Sequence, residues 1–130
     1  MKNLVEKAVA AKCHAYVPYG DFKVGAAVLA DDGNIYTGCN IQNGSFGAKV
    51  CAEHTAILKA ISEGARHICA IAVSGPLHDK PTYPCGICRQ VICEFAVNPD
   101  IPVFVANNDG TIVTQLPFRE LLPHSFDSLK

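Results

Sequence analysis

The chain has 130 residues, 49% of them hydrophobic and 18% charged, which excludes a disordered polymer and fits one domain with a core of its own. A net charge of −1 without a run of Lys or Arg argues against a sequence-independent grip on nucleic acid. No stretch approaches the roughly 20 apolar residues of a membrane span.

In chain order, residues 1 to 16 place Leu4, Val5, Ala8, Val9, Ala11 and Ala15 close to helical spacing. Pro18 ends that helix, because proline disfavours the helical region in the residue before it. Lys23 to Ala30 reads as a buried strand, Asp31-Asp32-Gly33-Asn34 as a hairpin turn, and Ile35 to Ile41 as the partner strand. Gln42 to Lys49, rich in Gly and Asn, is a loop. Val50 to Glu63 forms a helix with a stripe of Ala56, Ile57, Ala60 and Ile61, stopped at Gly64. His67 to Ser74 is a buried strand, followed by a loop with Pro76, Pro81 and Pro84. Cys85 to Ala96 starts a further helix just after Pro84. Ile101 to Ala106 and Thr111 to Gln115 are strands around the turn Asn107-Asn108-Asp109-Gly110. A helical turn near Phe118 to Leu122 and a loose tail complete the chain. No repeat, linker or low-complexity tract interrupts it, so residues 1–130 read as a single domain. Alternating helices and strands predict an α/β helix–sheet–helix sandwich, with parallel pairing somewhere in the sheet.

Seven cysteines are an odd number, and two of them form a Cys-x-x-Cys. The N-terminus carries charge in its first turns and lacks an export pattern, so a cytoplasmic protein is expected, with cysteines used for metal or redox chemistry. The predicted helices start near Cys51 and near Cys85, with Cys88 one turn further on the same face. Helix N-termini offer free N–H groups and positive partial charge, which stabilise the thiolates that zinc requires. Cys51, Cys85 and Cys88 would give zinc three protein ligands and leave one tetrahedral position open for water. Three thiolates on Zn²⁺ leave about one negative charge, so nearby N–H groups or cations should matter. Glu53 follows one ligand by two residues, placed to take and deliver the proton of a zinc-activated water. Competing readings are a redox pair, a solvated first-turn glutamate, and a structural zinc site completed by Cys13, Cys39, Cys69 or Cys93.

Cys51-Ala52-Glu53, followed after residues 54 to 83 by Pro84-Cys85-Gly86-Ile87-Cys88-Arg89-Gln90, resembles the small zinc-dependent cytidine deaminases. Val24-Gly25-Ala26-Ala27, Gly38-Cys39-Asn40-Ile41 and Glu120-Leu121-Leu122-Pro123 extend that resemblance over nearly the whole chain. It implies a three-layer sandwich around a mixed five-stranded sheet, with one Zn²⁺ per subunit. The implied reaction is hydrolysis of cytidine and 2′-deoxycytidine to the uridines and ammonia, with Glu53 as proton carrier. It implies that Phe22 packs near the nucleoside, that Asn40 holds a sugar hydroxyl, and that the backbone at Ala52 binds the base. It further implies a homotetramer with shared active sites, in which Phe46 and Phe126 are contributed to neighbours and Phe126 stacks on the base. Nucleic acid and membrane are not implied partners.

Two positions depart from that pattern. Gln42 stands where the family commonly has glutamate, which exchanges a charge-assisted bond to a sugar hydroxyl for an amide bond. His54 stands where arginine commonly bonds the zinc thiolates, so compensation passes to His54 and Arg89. Deaminases of blasticidin S share the Cys-Ala-Glu and Pro-Cys-Gly-x-Cys-Arg-Gln segments and also lack that arginine, which makes a related aminopyrimidine nucleoside the alternative substrate. A zinc-stabilised binding module without catalysis is the reading from a different class.

Overall fold

A computed structural model describes residues 2–127 of the protein. Helix α1, Lys2–Ala11, turns Leu4, Val5 and Ala8 inward. It tightens into a 3₁₀ turn over Lys12–His14, so the regular helix is shorter than the sequence suggests. Met1, the expected start, lies outside the described residues. The following elements are β1, Gly25–Ala30; β2, Ile35–Cys39; α2, Ala52–Ser62; β3, Ile68–Ser74; α3, Gly86–Phe95; β4, Pro102–Ala106; and β5, Val113–Pro117. Short 3₁₀ turns occupy Phe46–Ala48 and Phe118–Glu120. The last strand starts two residues later than Thr111. The Thr111 hydroxyl instead donates to Asp109 Oδ1 at 2.7 Å and closes the turn.

The sheet order is β2-β1-β3-β4-β5. β1 pairs antiparallel with both β2 and β3, β3 pairs parallel with β4, and β4 pairs antiparallel with β5. The hydrogen-bonded parallel pair is therefore the one joined through α3, as a crossover connection requires. The helix α2 joins β2 to β3 across the intervening β1.

Side chains alternate between the two faces, as the pleat dictates. Ala26, Val28, Ile71, Val73, Val103 and Val105 pack with Ala52, Ala56, Ile57 and Ile92 of α2 and α3. Ala27, Ala70, Ala72 and Phe104 face Leu4, Val5 and Ala8 of α1 on the other side. That is the expected helix–sheet–helix arrangement. Each fully buried aliphatic side chain, Ile57 and Ile71 among them, contributes about 1.5–3 kcal/mol of transfer free energy.

The topology also places the chemistry. Because β2 and β3 both oppose β1, they run in the same direction and end at the same edge of the sheet. Each is followed by a loop and then a helix, so α2 and α3 start at that edge. Open α/β sheets bind ligands at the carboxyl ends of strands for this reason. Gly38 lets α2 lie directly on β2: a Cβ there would sit 2.5 Å from the Ala56 nitrogen and 2.8 Å from the Ala52 carbonyl oxygen.

Candidate active site

Cys51 and Cys85 are the residues immediately before α2 and α3. Both have extended backbones, φ −77° and −72°, and neither side chain caps its own helix. Their thiols are thus free to point elsewhere while remaining at the positive ends of the two helices. Cys88 lies in the first turn of α3, fully buried. The three sulfurs lie within 4.8 Å of one another, and Cys51 Sγ and Cys85 Sγ are 3.6 Å apart. Sulfurs at tetrahedral corners about 2.3 Å from zinc stand about 3.8 Å apart, so the spacing fits that ion. Among the described residues no fourth Cys, His, Asp or Glu joins the cluster, so zinc held here would keep one position for water, unlike a closed structural site.

Cys51 and Cys88 share a proton. Cys51 falls to about 6, first because it accepts the Cys88 S–H and then because Cys85 also donates to it; burial opposes the fall, while Lys49 and His54 assist it. Cys88 is driven up because it donates that same proton and because it is buried. A cation that replaces the proton Cys88 shares with Cys51 is therefore favoured.

Glu53 is 3% exposed. Burial lifts its carboxyl to about 7; a backbone N–H works against that rise, the Cys51 charge adds to it, and the adjacent Cys88 thiol opposes it. A carboxyl buried beside three thiols and poised near neutrality suits proton transfer in both directions.

A cleft of about 270 Å³ opens beside this group, with Cys51, Glu53 and Cys85 at one part of its wall and Phe22, Asn40, Gln42 and Ala52 around the rest. A larger groove of about 830 Å³ runs between the end of α3 and the C-terminal segment, but it lacks the thiol group, so the chemistry belongs to the smaller cleft. Asn40 donates from Nδ2 to the Phe22 carbonyl at 2.7 Å and accepts the Val24 N–H at 2.8 Å. Its amide clamps the segment that carries Phe22. Gln42 Oε1 accepts the Tyr19 N–H at 2.9 Å, and among the described residues its NH₂ has no hydrogen-bond partner, so that group can meet a ligand.

The structure does not bring every expected residue into the cleft of one chain. Phe46 and Phe126 are 72% and 61% exposed and neither lines the cleft. Arg89 donates to the carbonyls of Pro84 and Leu121, each at 2.8 Å. Its fork ties the Cys85 segment to the C-terminal segment, and neither bond is to a thiolate. His54 is half-buried and close enough for its charge to favour the Cys51 thiolate. Sequence reasoning passed over Lys49, Thr82 and Tyr83, which also line the cleft. Their signal was position: Lys49 is two residues before Cys51, and Thr82-Tyr83 directly precede Pro84-Cys85.

A sequence model of the family described as "Cytidine and deoxycytidylate deaminase zinc-binding region" matches residues 1–104. The cytidine deaminase of Sporosarcina psychrophila is 45% identical over 126 residues, covering 97% of this chain and 90% of that protein. That of Halalkalibacterium halodurans is 46% identical over 123 residues, covering 95% and 91%. Among solved structures, cytidine deaminase from Burkholderia pseudomallei superposes with a TM-score of 0.88 at 43% identity, covering 95% of this chain and 97% of that one.

Proposed function

This chain belongs to the cytidine and deoxycytidylate deaminase family, and we propose that it hydrolyses cytidine and 2′-deoxycytidine to uridine and 2′-deoxyuridine with release of ammonia. The observation that carries this reading is the nearly dry Glu53 carboxyl beside three thiols held within 4.8 Å of one another. Cys51, Cys85 and Cys88 would hold one zinc ion, which would supply an activated water at neutral pH.

The remaining steps belong to the chain. Glu53 accepts the proton that water gives up as it adds to C4 of the cytosine ring, and passes it to ring N3. The hydroxyl proton of the adduct then goes by way of Glu53 to the 4-amino group, which leaves as ammonia, so one water enters for each ammonia lost. The buried Ala52 backbone at the start of α2 orients the base, where its peptide groups need no reorganisation. Asn40 and Gln42 face the sugar, with Asn40 also holding the Phe22 segment that covers it. His54 and the two helix starts offset thiolate charge.

The exposed Phe46, Phe126 and Ile87, the last 71% exposed between two metal ligands, are costly surface for a lone chain and support a homotetramer that shares its sites. None of the described helices is long and apolar enough to cross a membrane, and a cytoplasmic location is part of the proposal.

The test is a substrate panel on zinc-loaded protein, followed by ammonia release and by the loss of cytosine absorbance. Turnover of cytidine, lost in Glu53→Gln with zinc retained, is expected. Turnover of blasticidin S in place of cytidine overturns the substrate, and zinc binding without any turnover overturns the enzyme.

A further inference from the structure

We propose that Lys12 is a positioning residue for the strap Gly75–Pro84, the segment that ends on the metal ligand Cys85; this rests on the reading of Cys51, Cys85 and Cys88 as a metal centre. Lys12 is buried, 9% exposed, at the tight turn that ends α1. Its ammonium donates to Ser74 Oγ at 2.8 Å, to the Gly75 carbonyl at 3.1 Å, to Asn108 Oδ1 at 3.0 Å and to the Asn108 carbonyl. Among the described residues no carboxylate forms an ion pair with it. It therefore fastens the end of β3 and the β4–β5 turn to the same point.

The strap hangs from that turn at further places. The Asn108 N–H donates to the Leu77 carbonyl at 2.8 Å and the Thr82 N–H to the Ala106 carbonyl at 3.4 Å. Buried Asn107 donates from Nδ2 to the His78 carbonyl at 2.8 Å and accepts the Ser74 hydroxyl on its own carbonyl at 2.8 Å. The strap then folds back on itself so closely that a Cβ at Gly75 would lie 2.0 Å from Thr82 Oγ1. Thr82 and Tyr83 form cleft wall, and Cys85 follows. Movement at Lys12 thus passes through a short, bonded path to a zinc ligand.

Lysine suits this role because a compact ammonium with three protons serves several oxygens that do not share a plane. Its stem passes over Gly25, where a Cβ would stand 3.1 Å from Lys12 Cγ. Removing the ammonium leaves buried acceptors without a donor.

The experiment compares zinc-loaded wild type, Lys12→Met, Lys12→Arg and Leu4→Ala, the last weakening α1 packing away from the strap. Zinc transfer to a coloured chelator and hydrogen exchange of the Thr82 and Asn108 amides are followed well below Tm. Lys12→Met is expected to release zinc about 10-fold faster, the scale on which outer contacts of metal ligands act, and to exchange both amides faster. Lys12→Arg restores part of each rate, and Leu4→Ala leaves both near wild type at an equal loss of Tm. Equal zinc release and exchange in Lys12→Met and Leu4→Ala overturns the proposal. Should Lys12→Met not fold, Asn108→Ala, which removes one acceptor, is read in the same way. Wild-type protein that holds no zinc defeats the metal reading instead, while the exchange rates still decide whether Lys12 fixes the strap.

Discussion

Replacing Glu53 by glutamine separates what this side chain does for chemistry from what it costs the fold. Burial is the largest influence on its carboxyl and lifts it from an ordinary 4.5 to about 7 in the metal-free protein. Between about pH 4.5 and 7 the folded chain then binds more protons than the unfolded chain, so stability falls as pH rises through that window. The difference of 7 − 4.5 = 2.5, at about 1.36 kcal/mol for each, amounts to about 3 kcal/mol, complete above about pH 7. Glutamine has nearly the same shape and no charge to desolvate. Metal-stripped Glu53→Gln is expected to be more stable than metal-stripped wild type by up to about 3 kcal/mol at about pH 8, or about 10 °C in Tm for a chain of this length. The gap closes toward about pH 4.5, where the wild-type carboxyl is neutral in the folded state and half neutral in the unfolded one. Urea and thermal unfolding at the two pH values measure it. Zinc narrows the gap, because the cation stabilises the neighbouring carboxylate. Turnover in the same variant is expected to fall by about 10²–10⁴ or more, with zinc content unchanged. A gap that is the same at both pH values refutes desolvation as the main cause, and undiminished turnover refutes the proton-carrier role.

Removing zinc with a chelator is expected to abolish turnover, with recovery on adding zinc back; Cys88→Ser protein should neither retain zinc nor recover, as measured by metal analysis beside the activity assay. Gln42→Glu keeps one oxygen for the Tyr19 N–H and turns the free NH₂ into a charged acceptor, so KM for cytidine is expected to fall severalfold at nearly constant kcat; an equal or higher KM counts against it. His54→Arg places a permanent cation near Cys51 and should slow zinc transfer to a chelator severalfold, and unchanged transfer removes His54 from charge compensation. Gly38→Ala forces a Cβ against the Ala52–Ala56 backbone and is expected to cost about 1–3 kcal/mol in urea unfolding, with zinc held less tightly because α2 starts at Cys51.

The fold was legible where periodicity and breakers agreed. Of the α2 stripe, Ala56, Ile57 and Ala60 are fully buried and Ile61 is half-buried against the same core, and Gly64 follows the helix with φ 112°. The boundaries were less legible where side chains compete with backbone. Pro18 predicted a helix running to Tyr16, yet the regular turns stop at Ala11 and Lys12 reaches its oxygens from the tighter turn that follows. Nothing local in Ala11-Lys12-Cys13 signals a buried ammonium, since all of its partners lie 62 or more residues away. The same limit hid what the amides do. Asn40 and Gln42 could be singled out by position, but the bonds of Asn40 to Phe22 and Val24, and of Gln42 to Tyr19, depend on how the Tyr16–Lys23 loop lies over β2's end. Cys51, Cys85 and Cys88 were readable because both helix starts are local features, and two strands of like direction carry them to one edge.

Charge then explains why those starts matter more than any one side chain. Zinc with three thiolates and an ionised Glu53 would carry about two negative charges, one of them on a carboxylate buried away from water. Arg89, the strongest cation nearby in sequence, spends its bonds on the Pro84 and Leu121 carbonyls. Lys49 is exposed and so well screened. The N-termini of α2 and α3 remain, each equivalent to about half a positive charge and fixed in place before any ligand arrives. Together they supply about what one arginine would, and they do so through backbone that no substitution at residue 54 can remove. A chain with histidine at this position can therefore still hold a three-thiolate zinc. The effect of His54→Arg should accordingly be severalfold, not the much larger change expected if a single side chain carried the compensation.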